Sequence, residues 1–307
     1  MRVTVIGDST LDVTVRPAQA PRAGGDVPAR IGLSPGGQGA NVAIRLAREG
    51  VSVLLATAIA DDAAGLILTA ALVADGVALE RMPAERTGTV VALIDDHGER
   101  AMVSDRISLV PDAVAAACVG AAWVHCSGYA LADDETGDLV AGVIGSLPDA
   151  TRISVGGGSL PPDAERAARV RDRLVTTRAR LLIFSRDEVA ALLDAPLPSL
   201  AAAADAMSTA FPHAVAVVTG GPAGSAAAGP GFALSVAADD PGTPMVDATG
   251  AGDAYAAAVI TALLAADWPP SVATMRAAME SGSRLGSLVA RALGAQARVA
   301  GEGVGVR

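Results

Sequence analysis

The sequence contains no lysine, few aromatic side chains and only two cysteines. Without lysine it has neither a Walker-type phosphate-binding lysine nor a Schiff-base lysine, so a phosphate site has to use backbone amides or arginine. Cys118 and Cys126 are too few for the disulfide framework of a small secreted domain or for a four-cysteine zinc site. We therefore expect a protein of a reducing compartment.

Long apolar runs and an excess of positive charge are also missing. Each apolar stretch is broken by Gly, Asp or Arg before about 18 residues, and the first residues lack a basic region followed by an apolar one. We expect a cytoplasmic protein that is neither secreted nor inserted in a membrane. The formal net charge of -10 repels phosphate backbones, which argues against nucleic acid as a partner.

Short β-branched runs alternate with helical segments rich in Ala, Leu and Val. Hydrophobic residues make up 51% of the chain and aromatics only 2%, a composition that suits helices packed on a parallel sheet. The alternation predicts an α/β fold in one continuous domain over residues 1–307. The central strand candidates are Val3 to Ile6, Val51 to Ala56, Val77 to Leu79, Ala121 to Cys126, Arg152 to Val155, Leu181 to Phe184 and Ala214 to Thr219.

Four further extended segments interrupt this alternation. They are Leu11 to Val15, Ala29 to Ser34, Thr87 to Ile94 and Arg100 to Val103. The last two are joined by Asp95 to Glu99, whose Asp and Gly residues favour a hairpin turn. These segments predict a small four-stranded sheet outside the main layer, a lid formed by about 12–35 and 87–107.

The segment Val246 to Tyr255 places glycines directly before an apolar helical stretch, Ala254 to Ala266. Small residues let backbone N–H groups converge at a helix N-terminus, where the dipole favours the negative charge of a phosphate. Asp253 in the same turn could accept a proton from a hydroxyl held against that phosphate. A simple turn shaped by Gly250 and Gly252, with Asp253 as a helix cap, is the alternative.

A second glycine-rich segment, Pro35-Gly36-Gly37-Gln38-Gly39-Ala40-Asn41, precedes a predicted helix from Asn41 to Glu49. Glycines here would let the backbone approach a ligand closely. An ordinary turn with Asn41 as the N-cap explains the same residues. Neither glycine-rich segment identifies a function by itself.

Together the two segments resemble the two signature regions of the PfkB or ribokinase-like family of carbohydrate and nucleoside kinases. Gly36 to Asn41 matches Gly-Gly-x-Gly-Ala-Asn, and Asp247 to Asp253 matches Asp-Thr-x-Gly-Ala-Gly-Asp except that Ala248 replaces the threonine. The resemblance implies a three-layer α/β/α sandwich with a mostly parallel central sheet and a small β-sheet lid. Weaker similarities extend it over nearly the whole chain: Gly7 with Asp12, Thr87-Gly88, Asp96 to Arg100 and Val218 to Gly221.

The resemblance also implies a reaction, transfer of the γ-phosphate of ATP to a substrate hydroxyl with Mg²⁺ present. Carried over by position, Asp253 is the general base. Gly250, Ala251 and Gly252 would form the anion hole for the transferring phosphate.

Substrate and nucleotide contacts follow from the resemblance in the same way. Asp12, Gly37 and Asn41 would hold sugar hydroxyls, which suits the directional hydrogen bonding of a carboxylate and an amide. Thr219 and Gly221 fall where the family contacts the nucleotide. Asp12 as a turn residue at the end of a strand is the alternative interpretation.

Two residues are candidates for binding metal ions. Glu188 ends Ser185-Arg186-Asp187-Glu188, where the family has Asn-x-x-Glu, and would support Mg²⁺ through water. An ordinary carboxylate in the first turn of a helix is the alternative for Glu188. Asp247 matches the aspartate with which some relatives bind a monovalent cation such as K⁺, although Arg298 in the tail could oppose a cation there.

Several functions remain open at this point. We expect a kinase for a small sugar, because few aromatic side chains are available to stack on a nucleobase. A nucleoside kinase of the same family is an alternative, and so is a non-catalytic sugar or nucleotide sensor. A dinucleotide oxidoreductase is excluded, since Val3 to Ile6 is followed by Asp8 and not by Gly-x-Gly-x-x-Gly. The resemblance further suggests a homodimer formed through the lid.

Overall fold

A computed structural model describes residues 1–95, 100–158 and 163–300. Within them the strands are β1 (Arg2–Ile6), β2 (Thr10–Pro17), β3 (Ala29–Gly36), β4 (Ser52–Ala58), β5 (Ala78–Met82), β6 (Thr89–Ile94), β7 (Arg100–Asp105), β8 (Trp123–Cys126), β9 (Arg152–Gly156), β10 (Leu181–Ser185), β11 (Val215–Thr219), β12 (Ser225–Gly229) and β13 (Phe232–Val236). The helices are α1 (Gln38–Arg48), α2 (Ala63–Ala74), α3 (Pro111–Cys118), α4 (Gly128–Ala132), α5 (Gly137–Gly145), α6 (Ala164–Thr177), α7 (Arg186–Leu193), α8 (Leu200–Ala210), α9 (Ala251–Leu263) and α10 (Val272–Val289).

Nine strands form one central sheet in the order β13-β12-β11-β10-β9-β8-β1-β4-β5. All its neighbours are parallel except β11 with β12 and β12 with β13. The predicted α/β fold with a mostly parallel sheet is confirmed. The chain adds β4 on one side of β1 and β8 on the other, so the strand order reverses at β1.

Helices cover both faces of this sheet. Alternation along β8 illustrates the two layers, since Trp123 packs with α1, α2, α9 and α10 while Val124 and Cys126 pack with the helices on the other face. Most of the core is Ala, Val, Leu and Ile. Trp123 and Trp268, two of the few aromatic residues, make an edge-to-face contact. Among the described helices none is both long and apolar enough to cross a membrane.

The small sheet has the order β3-β2-β6-β7. Its outer pairs are antiparallel, whereas β2 and β6 run parallel at the centre. The segments predicted to form this sheet do form it, although the turn residues 96–99 lie outside the described residues. That the sheet closes as a lid, and that the chain is one domain, stay predictions.

The two glycine-led helices begin earlier than the sequence predicts. Helix α1 starts at Gln38 and α9 at Ala251, each three residues before the predicted start. Their N-caps are Gly37 with φ 94° and Gly250 with φ 76°. A positive φ costs glycine little, so the backbone can enter the helix directly after the turn.

The antiparallel strands β12 and β13 are absent from the sequence prediction. Strand β12 consists of Ser, Ala and Gly, which have low strand propensity, so pattern alone does not reveal it. Strand β13 alternates Phe232, Leu234 and Val236 with small residues, a strand pattern that the sequence analysis did not use. β12 pairs with β11, and β13 pairs with β12.

Candidate active site

A cavity of about 180 Å³ lies at the carboxyl edge of the central sheet, between the N-terminal ends of α1 and α9. Ligands of open α/β sheets bind at this edge, where the strand order reverses. Predicted site residues that line the cavity are Glu188, Thr219, Gly250, Gly252 and Asp253.

Asp253 is the third residue of α9, with Gly250 as the N-cap. No side chain caps this helix, so the interpretation of Asp253 as a capping residue is wrong. Gly250 and Gly252 line the cavity at the positive end of the helix dipole. The first turn of α9 therefore combines a carboxylate with backbone amides that suit an anion.

The Asp253 carboxyl has a raised pKa. Burial raises its pKa to about 7, and the negative charge of Asp8 acts in the same direction. A hydrogen bond from Asn41 opposes this shift, with Nδ2 donating to Asp253 Oδ2 at 2.8 Å. A carboxyl that titrates near neutral pH can act as a general base.

Asn41 lies inside α1 and is not its N-cap, which is Gly37. Its side chain is buried, and Oδ1 accepts a hydrogen bond from Gln296 Nε2 at 3.0 Å. Both ends of the amide are thus held by residues more than 200 positions away in the sequence. Asn41 fixes the orientation of the Asp253 carboxylate.

Asp8 is a site residue that the sequence analysis did not select. It follows β1, and its carboxylate accepts hydrogen bonds from the Gly39 amide at 3.4 Å and the Ser127 hydroxyl at 3.5 Å. It also pairs with Arg106, whose guanidinium stacks on Tyr129 at 3.7 Å from the ring centre. Its position directly after the first central strand was the available signal.

Gln38 is a second residue that the motifs did not single out. Its Nε2 donates to the carbonyl of Gly157 at 2.6 Å, and its Oε1 accepts from the Ser127 hydroxyl at 2.5 Å and the Gly128 amide at 3.1 Å. Gln38 therefore ties α1 to the loops after β8 and β9. It occupies the variable position of the first signature, so the motif gave no hint of this role.

Asp12 lies within β2 of the small sheet, not in a turn. Burial raises the pKa of its carboxyl, the Thr10 hydroxyl donates to it at 2.8 Å, and the charge of Asp8 raises the pKa further. A side chain at Gly36 would collide with this carboxylate. The charge of Asp8 thus raises the pKa of both Asp12 and Asp253.

Glu188 has two roles. With Ser185 it forms a capping box at the start of α7, in which Oε2 accepts from the Ser185 amide at 2.7 Å. It also lines the cavity, and burial raises the pKa of its carboxyl. The interpretation as a first-turn helix carboxylate is correct, yet the same carboxylate faces the site.

Of the two residues predicted to contact the nucleotide, one lines the cavity and the other does not. Thr219 ends β11, lines the cavity and donates a hydrogen bond to the carbonyl of Phe184 at 3.5 Å. Gly221, with φ 56°, begins a 3₁₀ turn and does not line the cavity. Ala251, the first residue of α9, also lies outside the cavity lining.

Asp247 lies in the loop before α9 and outside the cavity lining. Its buried carboxylate accepts from the Thr249 amide at 2.9 Å and from the Gly294 amide at 3.0 Å. It thus connects this loop to the segment after α10. Arg298 pairs with Asp75 at 2.7 Å.

His125 lines the cavity beneath α1 and α9. Its Nδ1 lies 2.9 Å from the Ser154 hydroxyl, which also accepts from the Trp123 indole at 2.8 Å. Burial lowers its pKa to about 4, so the ring is neutral at physiological pH. The ring is almost completely buried.

Comparison with known protein families identifies the fold and the chemistry. A model described as pfkB family carbohydrate kinase matches residues 1–300. The chain belongs to this family. This pfkB kinase is an ATP-dependent phosphotransferase that acts on a sugar.

Individual relatives agree with that assignment over nearly the full length of the pfkB kinase. A fructokinase from Klebsiella pneumoniae is 26% identical, covering 96% of this chain and 94% of the relative. The crystal structure of a fructokinase from Vibrio cholerae O395 with fructose, ADP and calcium superposes with a TM-score of 0.77 at 24% identity, covering 96% and 94%. A ribokinase from Giardia lamblia gives 0.78 at 16% identity, again covering 96% and 94%.

Proposed function

We propose that this pfkB kinase transfers the γ-phosphate of ATP to a hydroxyl of a monosaccharide, with Asp253 as the general base. The observation that carries the proposal is the first turn of α9. There a carboxyl with a pKa near 7 and two cavity-lining glycines occupy the positive end of one helix.

In this mechanism Asp253 accepts the proton of the sugar hydroxyl while the hydroxyl oxygen bonds to the γ-phosphorus. The bond from that phosphorus to the β,γ-bridging oxygen breaks, and ADP leaves with the electron pair. Backbone amides at Gly250, Ala251 and Gly252 stabilise the charge on the transferring phosphoryl group. The hydrogen bond from Asn41 keeps the carboxylate oriented towards the hydroxyl.

Magnesium fits the site only together with the nucleotide. Among the described residues no group of three or more His, Cys, Asp and Glu could hold a metal ion. Mg²⁺ would neutralise charge on the ATP phosphates, held by phosphate oxygens and water. Glu188, which lines the cavity, would support the ion through water.

Sugar recognition is assigned to the junction of the small sheet and α1. Asp12 presents a carboxylate from β2, and Gly37 allows the backbone to turn there. Asn41 would offer the second N–H of its amide, since the first donates to Asp253. Fructose is the first sugar to test, because a fructokinase from Klebsiella pneumoniae is among the relatives and the Vibrio cholerae fructokinase is described with fructose bound.

The nucleotide is assigned to the far side of the cavity. Thr219 lies on that wall and Gly221 follows it, where the adenosine would continue. A monovalent cation at Asp247 stays a prediction, which a comparison of activity in K⁺ and in tetramethylammonium salts would test.

We also propose a homodimer through the outer face of the small sheet. Cross-strand register places seven aliphatic side chains side by side on the face opposite Asp12: Val13, Val15, Ile31, Leu33, Val91, Leu93 and Val103. Of these, Ile31, Leu33 and Val103 are 65%, 59% and 63% exposed. A continuous exposed apolar face is typical of an interface. Light scattering should give a dimer that Leu33→Glu dissociates, whereas a wild-type monomer would contradict this.

The central experiment measures ADP formation with Mg²⁺ and ATP across fructose, ribose, other monosaccharides and nucleosides. Wild type is compared with Asp253→Asn, whose fold is checked by circular dichroism. Turnover of one sugar that falls at least about 1,000-fold in the variant supports the proposal. Turnover that persists in Asp253→Asn would remove Asp253 as the base. Binding of ATP without turnover of any acceptor would favour the sensor.

A further inference from the structure

One face of α1 carries polar side chains although the helix is almost entirely buried. Gln38, Asn41, Arg45 and Arg48 are spaced by three, four and three residues, so they lie along one side of the helix. The first two contact the cavity region, as described above. The last two reach residues 295–297, a segment that follows α10.

Arg45 is more buried than Arg48, the other charged residue of this row, and has 1% of its surface exposed. Its Nη2 donates to the carbonyl of Ala295 at 2.6 Å and to that of Ala297 at 2.9 Å. Removing a guanidinium from water is costly, and hydrogen bonds to carbonyl oxygens offset that cost. One side chain therefore holds this segment at the carbonyls of Ala295 and Ala297, which are two residues apart.

The fixed segment contacts the first glycine of the α9 turn. An added Cβ on Gly250 would lie 2.6 Å from the Cβ of Ala295 and 3.0 Å from its carbonyl oxygen. Ala295 thus packs directly behind the residue that starts α9. Its carbonyl is the one that Arg45 holds.

The next residue of the segment contacts the other half of the site. Gln296 donates to Asn41 Oδ1, and Asn41 in turn donates to Asp253. Two residues before Gln296, the amide of Gly294 donates to Asp247, so the segment is also tied to the loop before α9. A displacement of residues 294–297 would therefore move the anion hole and loosen the base together.

We propose that Arg45 is a positioning residue for phosphoryl transfer. By holding the carbonyls of Ala295 and Ala297, it keeps Ala295 behind Gly250 and Gln296 on Asn41, without contacting either substrate. The proposal rests on the proposed role of residues 250–252 as the anion hole and of Asp253 as the base.

The test compares Arg45→Met with Arg173→Met in the full-length protein. Arg173 is a matched control, because it is also a buried arginine and donates to the carbonyls of Leu131 and Asp133 on the other face of the sheet. We expect Arg45→Met to lower kcat about 50-fold, since small displacements of positioned groups have effects of this order. The KM for the sugar should change less than kcat does, because the proposed Asp12 contact is untouched and only the Asn41 contact depends on the segment. Arg173→Met should lower Tm while kcat stays within about twofold.

Two further variants keep the proposal testable if Arg45→Met does not fold. Gln296→Met removes one hydrogen bond to Asn41 and should lower kcat about tenfold with little change in Tm. Arg45→Lys retains the charge and reaches one carbonyl, so it should recover part of the kcat lost in Arg45→Met. A pH profile of kcat/KM for Gln296→Met should also show an altered acid limb, because Asn41 lowers the pKa of Asp253.

Equal kcat losses in Arg45→Met and Arg173→Met would overturn the proposal, as would a folded Arg45→Met or Gln296→Met with wild-type kcat. These outcomes are separate from a failure of the proposed function. That failure would appear in the wild-type protein and in Asp253→Asn, which retain Arg45.

Discussion

Helices α1 and α9 begin in nearly the same way but use their N-termini differently. Both have a glycine N-cap with positive φ and no side-chain cap. At α1 the chain supplies its own acceptors, because the amide of Gly39 donates to the Asp8 carboxylate and that of Ala40 to the Asp8 carbonyl. At α9 the glycines line the cavity.

The difference shows why a glycine-rich helix start is weak evidence for a phosphate site by itself. Such a start leaves amides without a side-chain cap, and what occupies them depends on the rest of the fold. Helix α7 is a third case, in which Ser185 and Glu188 cap the amides in a capping box. Only α9 among these three combines an uncapped N-terminus with a carboxyl that titrates near neutrality.

Among the tests of this comparison, the largest effect is expected from asking whether the α9 amides face the phosphate. Gly252 has helical geometry, and a Cβ there meets no atom within 4 Å, so Gly252→Ala should fold normally. The new methyl group would crowd the phosphoryl group, and we expect kcat to fall about 100-fold, or about 2.7 kcal/mol. Steady-state kinetics measures this.

Gly142→Ala in α5 is the matched control, because its Cβ also has open space. It should leave kcat unchanged. Wild-type activity in a folded Gly252→Ala would show that the phosphate does not lie against α9.

The next effect concerns how far the ionised Asp253 carboxylate destabilises the folded protein. Its folded pKa of about 7 lies above the ordinary value of 3.8, so the native state binds this proton more tightly than the unfolded chain. The resulting stability is present below pH 4 and is lost as pH rises through 7. Asp253→Asn does not titrate and should be more stable than wild type at pH 8.5, by about 2 kcal/mol.

Urea denaturation at pH 4.5 and pH 8.5 measures this gain. The difference between the two proteins should grow between these pH values and level off above pH 8. A difference in unfolding free energy that does not change with pH would mean that folding does not raise the pKa of Asp253.

A smaller effect is expected when the Asp8 carboxylate at the N-terminus of α1 is neutralised. Asp8→Asn keeps the shape but loses the charge that pairs with Arg106. We expect kcat/KM for the sugar to fall about tenfold, or 1.4 kcal/mol. The wild-type profile of kcat/KM should rise with pH through about 7, and in Asp8→Asn this rise should occur at lower pH, because Asp8 raises the pKa of Asp253. An unchanged acid limb would contradict the coupling.

The smallest effect is expected at α7. Glu188→Gln keeps an oxygen that accepts from the Ser185 amide, so stability should stay within about 0.5 kcal/mol. Loss of the charge should raise the Mg²⁺ concentration for half-maximal activity about threefold. A titration of activity with Mg²⁺ decides this, and an unchanged midpoint would leave Glu188 with the capping role alone.

Much of the fold was predictable, because parallel strands and their helices follow each other locally in the sequence. The alternation of apolar strands with Ala-rich helices predicts the central sheet, and the Asp/Gly turn chemistry predicts the small sheet. The missing part is β12 and β13, of which β12 consists of small residues such as Ala226 and Ala227 that by themselves favour helix over strand. The strand conformation of β12 comes from pairing with β11, and β13 extends the sheet by pairing with β12.

The site was predictable where a motif names a residue and unpredictable where two distant residues meet. The local pattern singled out Asp253, Gly250 and Gly252, and the structure places all three in the cavity lining. That Asn41 holds Asp253, and that Gln296 holds Asn41, depends on how α1, α9 and the segment after α10 pack, which no local window contains. Asp8 was missed because a single aspartate after a strand is common in turns.

The bond between Asn41 and Gln296 joins residues 255 positions apart. During synthesis on the ribosome, β1 and α1 emerge long before Asp253 and Gln296. In the proposed mechanism a nascent chain that lacks Asp253 would have no general base, and one that lacks Gln296 would hold the Asn41 amide at one end only. The proposed site is therefore assembled only after both ends of this long connection have been translated and packed together.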